Sequence, residues 1–323
     1  MHRLIKFIED RFYVFMLLAI FLGIVSGKGA ETLKPFMRPF LMGILFFTAL
    51  KMDFGKVTEY ARRYKLIAYI VAVHMLAVPV IAYYISLAVL PEYAAGILVM
   101  SALPAGMAST TLTMLCSGET ALALMVTLST AAVAPVTIPF LVNVLTGRIS
   151  SLTEGLKLIA PQAGLIAVLL FTPVIAAFII RKIFPKTVDK YQHTYSALSV
   201  ISLTLLIYTA MSTSRGPVVN NPKEALYLLI FIFVLIGAFY IAGYYVAPWL
   251  RRGERVAFSV TAAYVNNGLG IIFAAAFFPG DATMLLPVVV IELPMLAALL
   301  PLKVITCRPS WIEAVAKESS KTR

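Results

Sequence analysis

Leu103-Pro104-Ala105-Gly106-Met107-Ala108-Ser109-Thr110-Thr111 interrupts one long apolar stretch of the chain, and Tyr264-Val265-Asn266-Asn267-Gly268-Leu269-Gly270 interrupts another about 160 residues later. Proline lacks a backbone N–H and crowds the preceding turn, and glycine weakens a helix, so each stretch predicts a helix broken at its centre. Irregular backbone at bilayer depth is tolerated only where it is buried in protein or lines a cavity. Paired breaks in matching places of two halves predict a binding site where the broken helices cross.

The composition sets the class. Of 323 residues, 61% are apolar and 13% charged, against roughly 25% charged in soluble domains, and the mean hydropathy is +0.92. A spanning helix needs ~20 mostly apolar residues. Ten segments qualify, at approximately 12–27, 36–51, 66–90, 94–116, 120–146, 158–181, 193–212, 224–247, 255–278 and 283–306. The chain is thus predicted to be an all-α membrane protein with no soluble domain. Arg3, Lys6 and Arg11 precede the first run as in a signal peptide, but nine spans follow, so it reads as a retained helix. Between segments 4 and 5, Gly118 reads as a helix stop and Glu119 as the opening of the next helix.

Orientation follows from Lys and Arg. The N-terminus, the even-to-odd loops and the C-terminus hold 20 of them, and the opposite loops hold 7. Both termini are therefore expected in the cytoplasm, and the net charge of +12 is topological rather than a sign of nucleic-acid binding. Asp53 reads as the N-cap of an interfacial helix over Phe54–Arg63, and the tail 307–323 as a solvated end. Cys116 and Cys307 both fall toward the cytoplasm, where a structural disulfide is not expected. No His/Cys cluster has the spacing of a transition-metal site, and no glycine-rich phosphate loop points to ATP. Proteolytic chemistry lacks its residues: Asp10, Asp53, Asp189 and Asp281 lie at or beyond span ends, and the three histidines, at 2, 74 and 193, form no zinc motif. No cofactor and no enzyme activity are expected. The sequence assigns no oligomeric state.

Ten spans divide as five plus five, and an odd number per half forces the halves into opposite orientations. Broken segment 4 then matches broken segment 9. This 5+5 inverted repeat is the arrangement expected of a secondary transporter, with an anion at helix N-termini and a cation at unwound carbonyls. Packing kinks at Pro104 and Asn267-Gly268 are the plainer alternative. Two ionisable residues lie deep in spans. Glu292 stands nine residues into segment 10 and His74 eight residues into segment 3. Two readings stay open for them: they complete a cation site or carry a proton, or they are hydrogen-bonded core groups. Met107 and Tyr264, beside the breaks, either shape a pocket or pack.

Pro104-Ala-Gly-Met-Ala-Ser109, followed by Gly118-Glu-Thr-Ala-Leu122 and Pro135, resembles helices 4 and 5 of the bile acid:sodium symporter family. Asn266-Asn-Gly-Leu269 resembles helix 9, and Leu41-Met-Gly-Ile-Leu-Phe46 helix 2. The resemblance implies a core of helices 3–5 and 8–10, approximately 66–146 and 224–306. It rocks against a panel of helices 1, 2, 6 and 7, approximately 12–51 and 158–212, in a prokaryotic inner membrane. A small-molecule organic anion would be carried between them. Ala108, Ser109, Thr110, Asn266, Asn267 and Gly268 become candidate substrate residues. The same resemblance places sodium ligands at Ser109, Thr110 and Thr127, while a helix-5 hydroxyl position holds Ala123 and the helix-9 glutamate position holds Thr261. Two glutamine positions of the second sodium hold Val265 and His74, so that second site is expected to be absent. The candidate cation set is Ser109, Thr110, Thr127, Thr261, Glu292 and His74. Sodium at a reduced single site and a proton both remain as coupling ions, and an uncoupled facilitator, channel or receptor on the same fold is the alternative. The arsenite efflux relatives carry a cysteine at the helix-4 break, where this chain has Met107 and Ala108, so arsenite is disfavoured.

Overall fold

The structure is a computed structural model that describes residues 7, 11–26, 30–52, 60, 62–149, 151–298 and 301. Asp53 and most of the expected interfacial helix, the end of segment 10, and the tail with Cys307 lie outside the described residues.

Apolar stretches give α1 (Phe12–Ser26), α2 (Met37–Ala49), α3 (Tyr64–Val89), α4a (Ala94–Ser101), α4b (Ser109–Leu115), α5 (Thr120–Leu145) and α6 (Leu152–Ile183). They continue as α7 (Gln192–Thr213), α8 (Pro222–Tyr245), α9a (Arg252–Ala263), α9b (Asn267–Phe277), α10a (Ala282–Val290) and α10b (Glu292–Ala297). Among the described residues no strand forms beyond one isolated bridge. Five helices, α3 and α5 to α8, are each long and apolar enough to cross a membrane. Their outer faces carry Val136, Leu156, Val234 and Ile241 in the open, as helices that are apolar all round do when their solvent is lipid.

Two groups of helices are packed side by side. α7 lies along α1 and α2, and α2 along α6; α5 packs on α3, α4b and α9a, α4a on α10a, and α8 on α9a and α10b. Helix starts are set by local acceptors. Glu119 accepts from the Ala121 N–H at 3.4 Å and Ser151 from Glu154 N–H at 3.3 Å. At the start of α9a, Glu254 reaches back to the Arg251 N–H at 3.1 Å. It is also held by Arg63, Arg251 and the Tyr60 hydroxyl, so this buried carboxylate ties the foot of α3 to the foot of α9a. The turn after α4b differs in detail from the expectation. The left-handed residue is Ser117 (φ 56°), not Gly118. Gly118 is needed for close approach instead: a Cβ there would stand 2.6 Å from Thr113 Cγ2 and 2.8 Å from Val256 Cγ1.

Candidate functional site

Both predicted breaks are present. α4 stops at Ser101 and resumes at Ser109, and α9 stops at Ala263 and resumes at Asn267. A broken helix leaves unpaired N–H and C=O groups that lipid cannot satisfy, and here each break satisfies the other. Ala105 and Val265 form an antiparallel bridge, in which Gly106 N–H donates to Tyr264 O and Asn266 N–H to Pro104 O, both at 2.8 Å. The close approach requires glycine at 106, where a Cβ would stand 3.0 Å from both Tyr264 Cδ1 and Val265 O. The Asn266 carboxamide caps α9b, accepting from Leu269 N–H at 3.3 Å.

The N–H groups of the bridge residues themselves point outward and find side chains on the next helix. Ala105 N–H donates to Thr130 Oγ1 on α5 at 3.2 Å, and Val265 N–H to Met295 Sδ on α10b at 3.3 Å. Three residues earlier on those same helices sit the partners of the first residue after each break. Ser109 bonds Thr127 at 3.0 Å, and Asn267 Nδ2 donates to Glu292 Oε2 at 2.6 Å. Thr127 gives its only proton to Ala123 O at 2.8 Å, so Ser109 is the donor of the first pair. The same hydrogen-bond scheme is thus built twice, once from hydroxyls and once from an amide and a carboxylate.

The remaining predicted residues fall around this frame. Glu292 is 1% exposed, and its Oε1 has no hydrogen-bond partner among the described residues. His74 Nε2–H donates to the Leu103 carbonyl at 3.1 Å, where the first break begins, while Nδ1 has no partner among the described residues. A π turn over Val73–Ala77, just before Pro79, swells α3 at this histidine; such bulges gather at functional positions. Thr261 turns its hydroxyl back to Ala257 O and Phe258 O on its own helix, at 2.9 and 3.1 Å. Thr110 Oγ1 is buried without a partner among the described residues.

Beside the crossing lies a cleft of about 480 Å³ between the two helix groups. One wall carries Met107, Ala108, Thr110, Tyr264, Asn266, Asn267 and Gly268; the other is built by α2 and α7. Of the candidate substrate residues, all but Ser109 line it. Ser109, Thr127, Thr261, Glu292 and His74 are packed away from it, with Asn267 the link between the cleft and Glu292. The α2–α7 wall holds polar groups that the sequence reading passed over: Lys51, hydrogen-bonded to Ser196, and Thr48, 3.4 Å from Ser199. In the sequence Lys51 is one of the loop cations that set the topology. Its one usable signal was its place directly after a span.

Apolar helices facing lipid, a broken pair that closes on itself and a cleft beside the break define an integral membrane protein of the transporter class. The chain belongs to the Sodium Bile acid symporter family, whose model matches residues 38–221. It is 26% identical over 279 residues, 84% of either chain, to the "Uncharacterized sodium-dependent transporter YocS" of Bacillus subtilis (strain 168). The family match contains the first break and its hydroxyls, and the second break lies beyond it. Membership sets the chain among transporters rather than enzymes.

Proposed function

We propose that the chain is a secondary active symporter that carries an organic anion, a bile acid or a small carboxylate, together with a cation. Ten spans, α1 to α10 with α4 and α9 in two halves, form a 5+5 inverted repeat with both termini in the cytoplasm of a prokaryotic cell. α1, α2, α6 and α7 are the panel; the other helices are the core that rocks against it. The cleft then opens to the cytoplasm, because its rim is made by the ends of α2 and α4b and the start of α7. The observation that carries this reading is the cleft itself, with a cation, Lys51, on the panel wall and the crossing on the core wall. Lys51 holds the anionic head group at the rim of the cleft, and the body of the molecule reaches along the seam toward Gly268, ten residues or about 15 Å further down α2 and α7 at Leu41 and Leu206. Ala108 and Asn266 shape the floor.

Sodium is the coupling ion favoured by the relative's printed name. Its site is the hydroxyl group of Ser109, Thr110 and Thr127, with Thr261 at the position facing them from α9a; a hard cation accepts such neutral oxygens. A proton is the second reading, favoured by the unpartnered Oε1 of Glu292. Glu292 supplies the charge that Thr261 lacks, and His74 holds the Leu103 carbonyl at the crossing. Uptake of radiolabelled cholate and pantoate into proteoliposomes under an imposed sodium or proton gradient tests the proposal. Accumulation driven by either gradient supports it, and Lys51→Gln should raise the half-saturation about tenfold, the loss of one charge-assisted contact. Equilibration without accumulation under both gradients sinks coupled transport.

A further inference from the structure

A second cavity, of about 510 Å³, occupies the other end of the same seam. α2 gives it Met37 and Arg38 and gives the cleft Leu41, Ile44 and Thr48; α9b gives it Ile272 and Ala275 and gives the cleft Asn267 and Gly268. On these two helices the cavities are separated by about one turn, some 5 Å. The seam closes at Gly268, where a Cβ would stand 3.0 Å from Leu41 Cδ1 and 3.1 Å from Leu206 Cδ2.

Cations outnumber acids around this cavity. Lys34 and Arg38 line it, and Arg148 lies 4.2 Å over the ring of Phe278, another wall residue. These are three of the 7 Lys and Arg on the sparsely charged side of the chain. Arg38 and Arg148 form no ion pair among the described residues. The acid in the wall, Asp281, is occupied as the cap of α10a, its Oδ1 accepting from Thr283 N–H at 3.0 Å, Met284 N–H at 3.3 Å and the Thr283 hydroxyl at 2.6 Å. Ser214, also in the wall, is 1% exposed, and its hydroxyl has no partner among the described residues. A concave site in which cations outnumber acids concentrates anions; an unpartnered buried hydroxyl is costly unless something occupies it part of the time.

We infer that this cavity is an anion-docking vestibule, in which Lys34, Arg38 and the Ser214 hydroxyl hold the carboxylate or sulfonate of an organic anion one helical turn from the cleft. Its use as the arrival site on the far side of the membrane rests on the transport reading; the binding itself does not. Thr213, which lines the cavity and is exposed, offers a probe position. In a Cys116→Ser/Cys307→Ser background, Thr213→Cys is reacted with an anionic and a cationic methanethiosulfonate, and the rates are normalised to those with free cysteine. The anionic reagent should react about tenfold faster, cholate should slow it, and Lys34→Gln/Arg38→Gln should bring the two reagents within about twofold. In oriented proteoliposomes the same double substitution should raise the half-saturation for cholate offered from the vestibule side. Equal rates for both reagents in the Thr213→Cys protein, or an anion preference that survives the double substitution, overturns the vestibule. If the unmodified chain moves neither cholate nor pantoate while the thiol chemistry behaves as expected, the transport reading fails and the vestibule stands.

Discussion

The two breaks solve one problem with different chemistry. At the first, Ala105 N–H is received by a threonine hydroxyl and Ser109 pairs with Thr127; at the second, Val265 N–H is received by a methionine sulfur and Asn267 pairs with Glu292. Position matters more than identity, because an opened backbone in the bilayer must find acceptors at those places whatever their chemistry. The freedom that remains was used unequally. The first half stays neutral, and the second buries a carboxylate, a group rare within spans and a default pointer to function.

The largest expected effect breaks the frame common to both halves. Gly106→Val places side-chain carbon against Tyr264 and the Val265 carbonyl, overpacking that costs about 1–3 kcal/mol at best; transport should vanish and the thermal midpoint fall, and wild-type uptake by this variant would refute the crossing. Glu292→Leu leaves the Asn267 amide without its acceptor and should destabilise by about 2 kcal/mol, whereas Glu292→Gln keeps a carbonyl acceptor and should unfold near the wild-type temperature. Equal stability of all three forms would make the second pair energetically idle. Thr130→Val and Met295→Leu compare the two receivers directly. Loss of the hydroxyl should cost about 1–2 kcal/mol and loss of the weak sulfur acceptor under about 1 kcal/mol; a reversed order in denaturant titrations would contradict the ranking. The smallest effect is expected from Thr127→Val, about 0.6 kcal/mol for one interhelical hydrogen bond, but with a raised half-saturation for sodium. Unaltered sodium dependence would remove Ser109–Thr127 from the cation site.

Pro104 and Asn267-Gly268 were legible as breaks because proline and glycine act on the backbone within a turn of themselves. The five long spans, α3 and α5 to α8, were legible because apolar runs of membrane length have few other uses. Glu292 and His74 stood out as ionisable residues in apolar runs, and the structure connects both to the crossing: one through Asn267, the other through the Leu103 carbonyl. Which group each would touch could not be read from either segment. The π turn at His74 was hidden because Pro79 announces a disturbance without its form. Lys51 was hidden for a different reason: a lysine at a span end satisfies the topology rule, and nothing local tells a cation that faces water from one that faces a cleft.

The sequence by itself determined the membrane class, the places where two helices must break and the residue types available there. These depend on hydropathy summed over ~20 residues and on dihedral limits of single residues, both local quantities. The tertiary structure alone decided that Ala105 would bridge Val265, that a carboxylate on α10b would meet the amide after the second break, and that Lys51 would line the same cleft as the crossing. Those contacts join residues 25 to about 210 positions apart; they are selected by the requirement that every opened N–H and C=O in lipid find a partner somewhere in the packed whole.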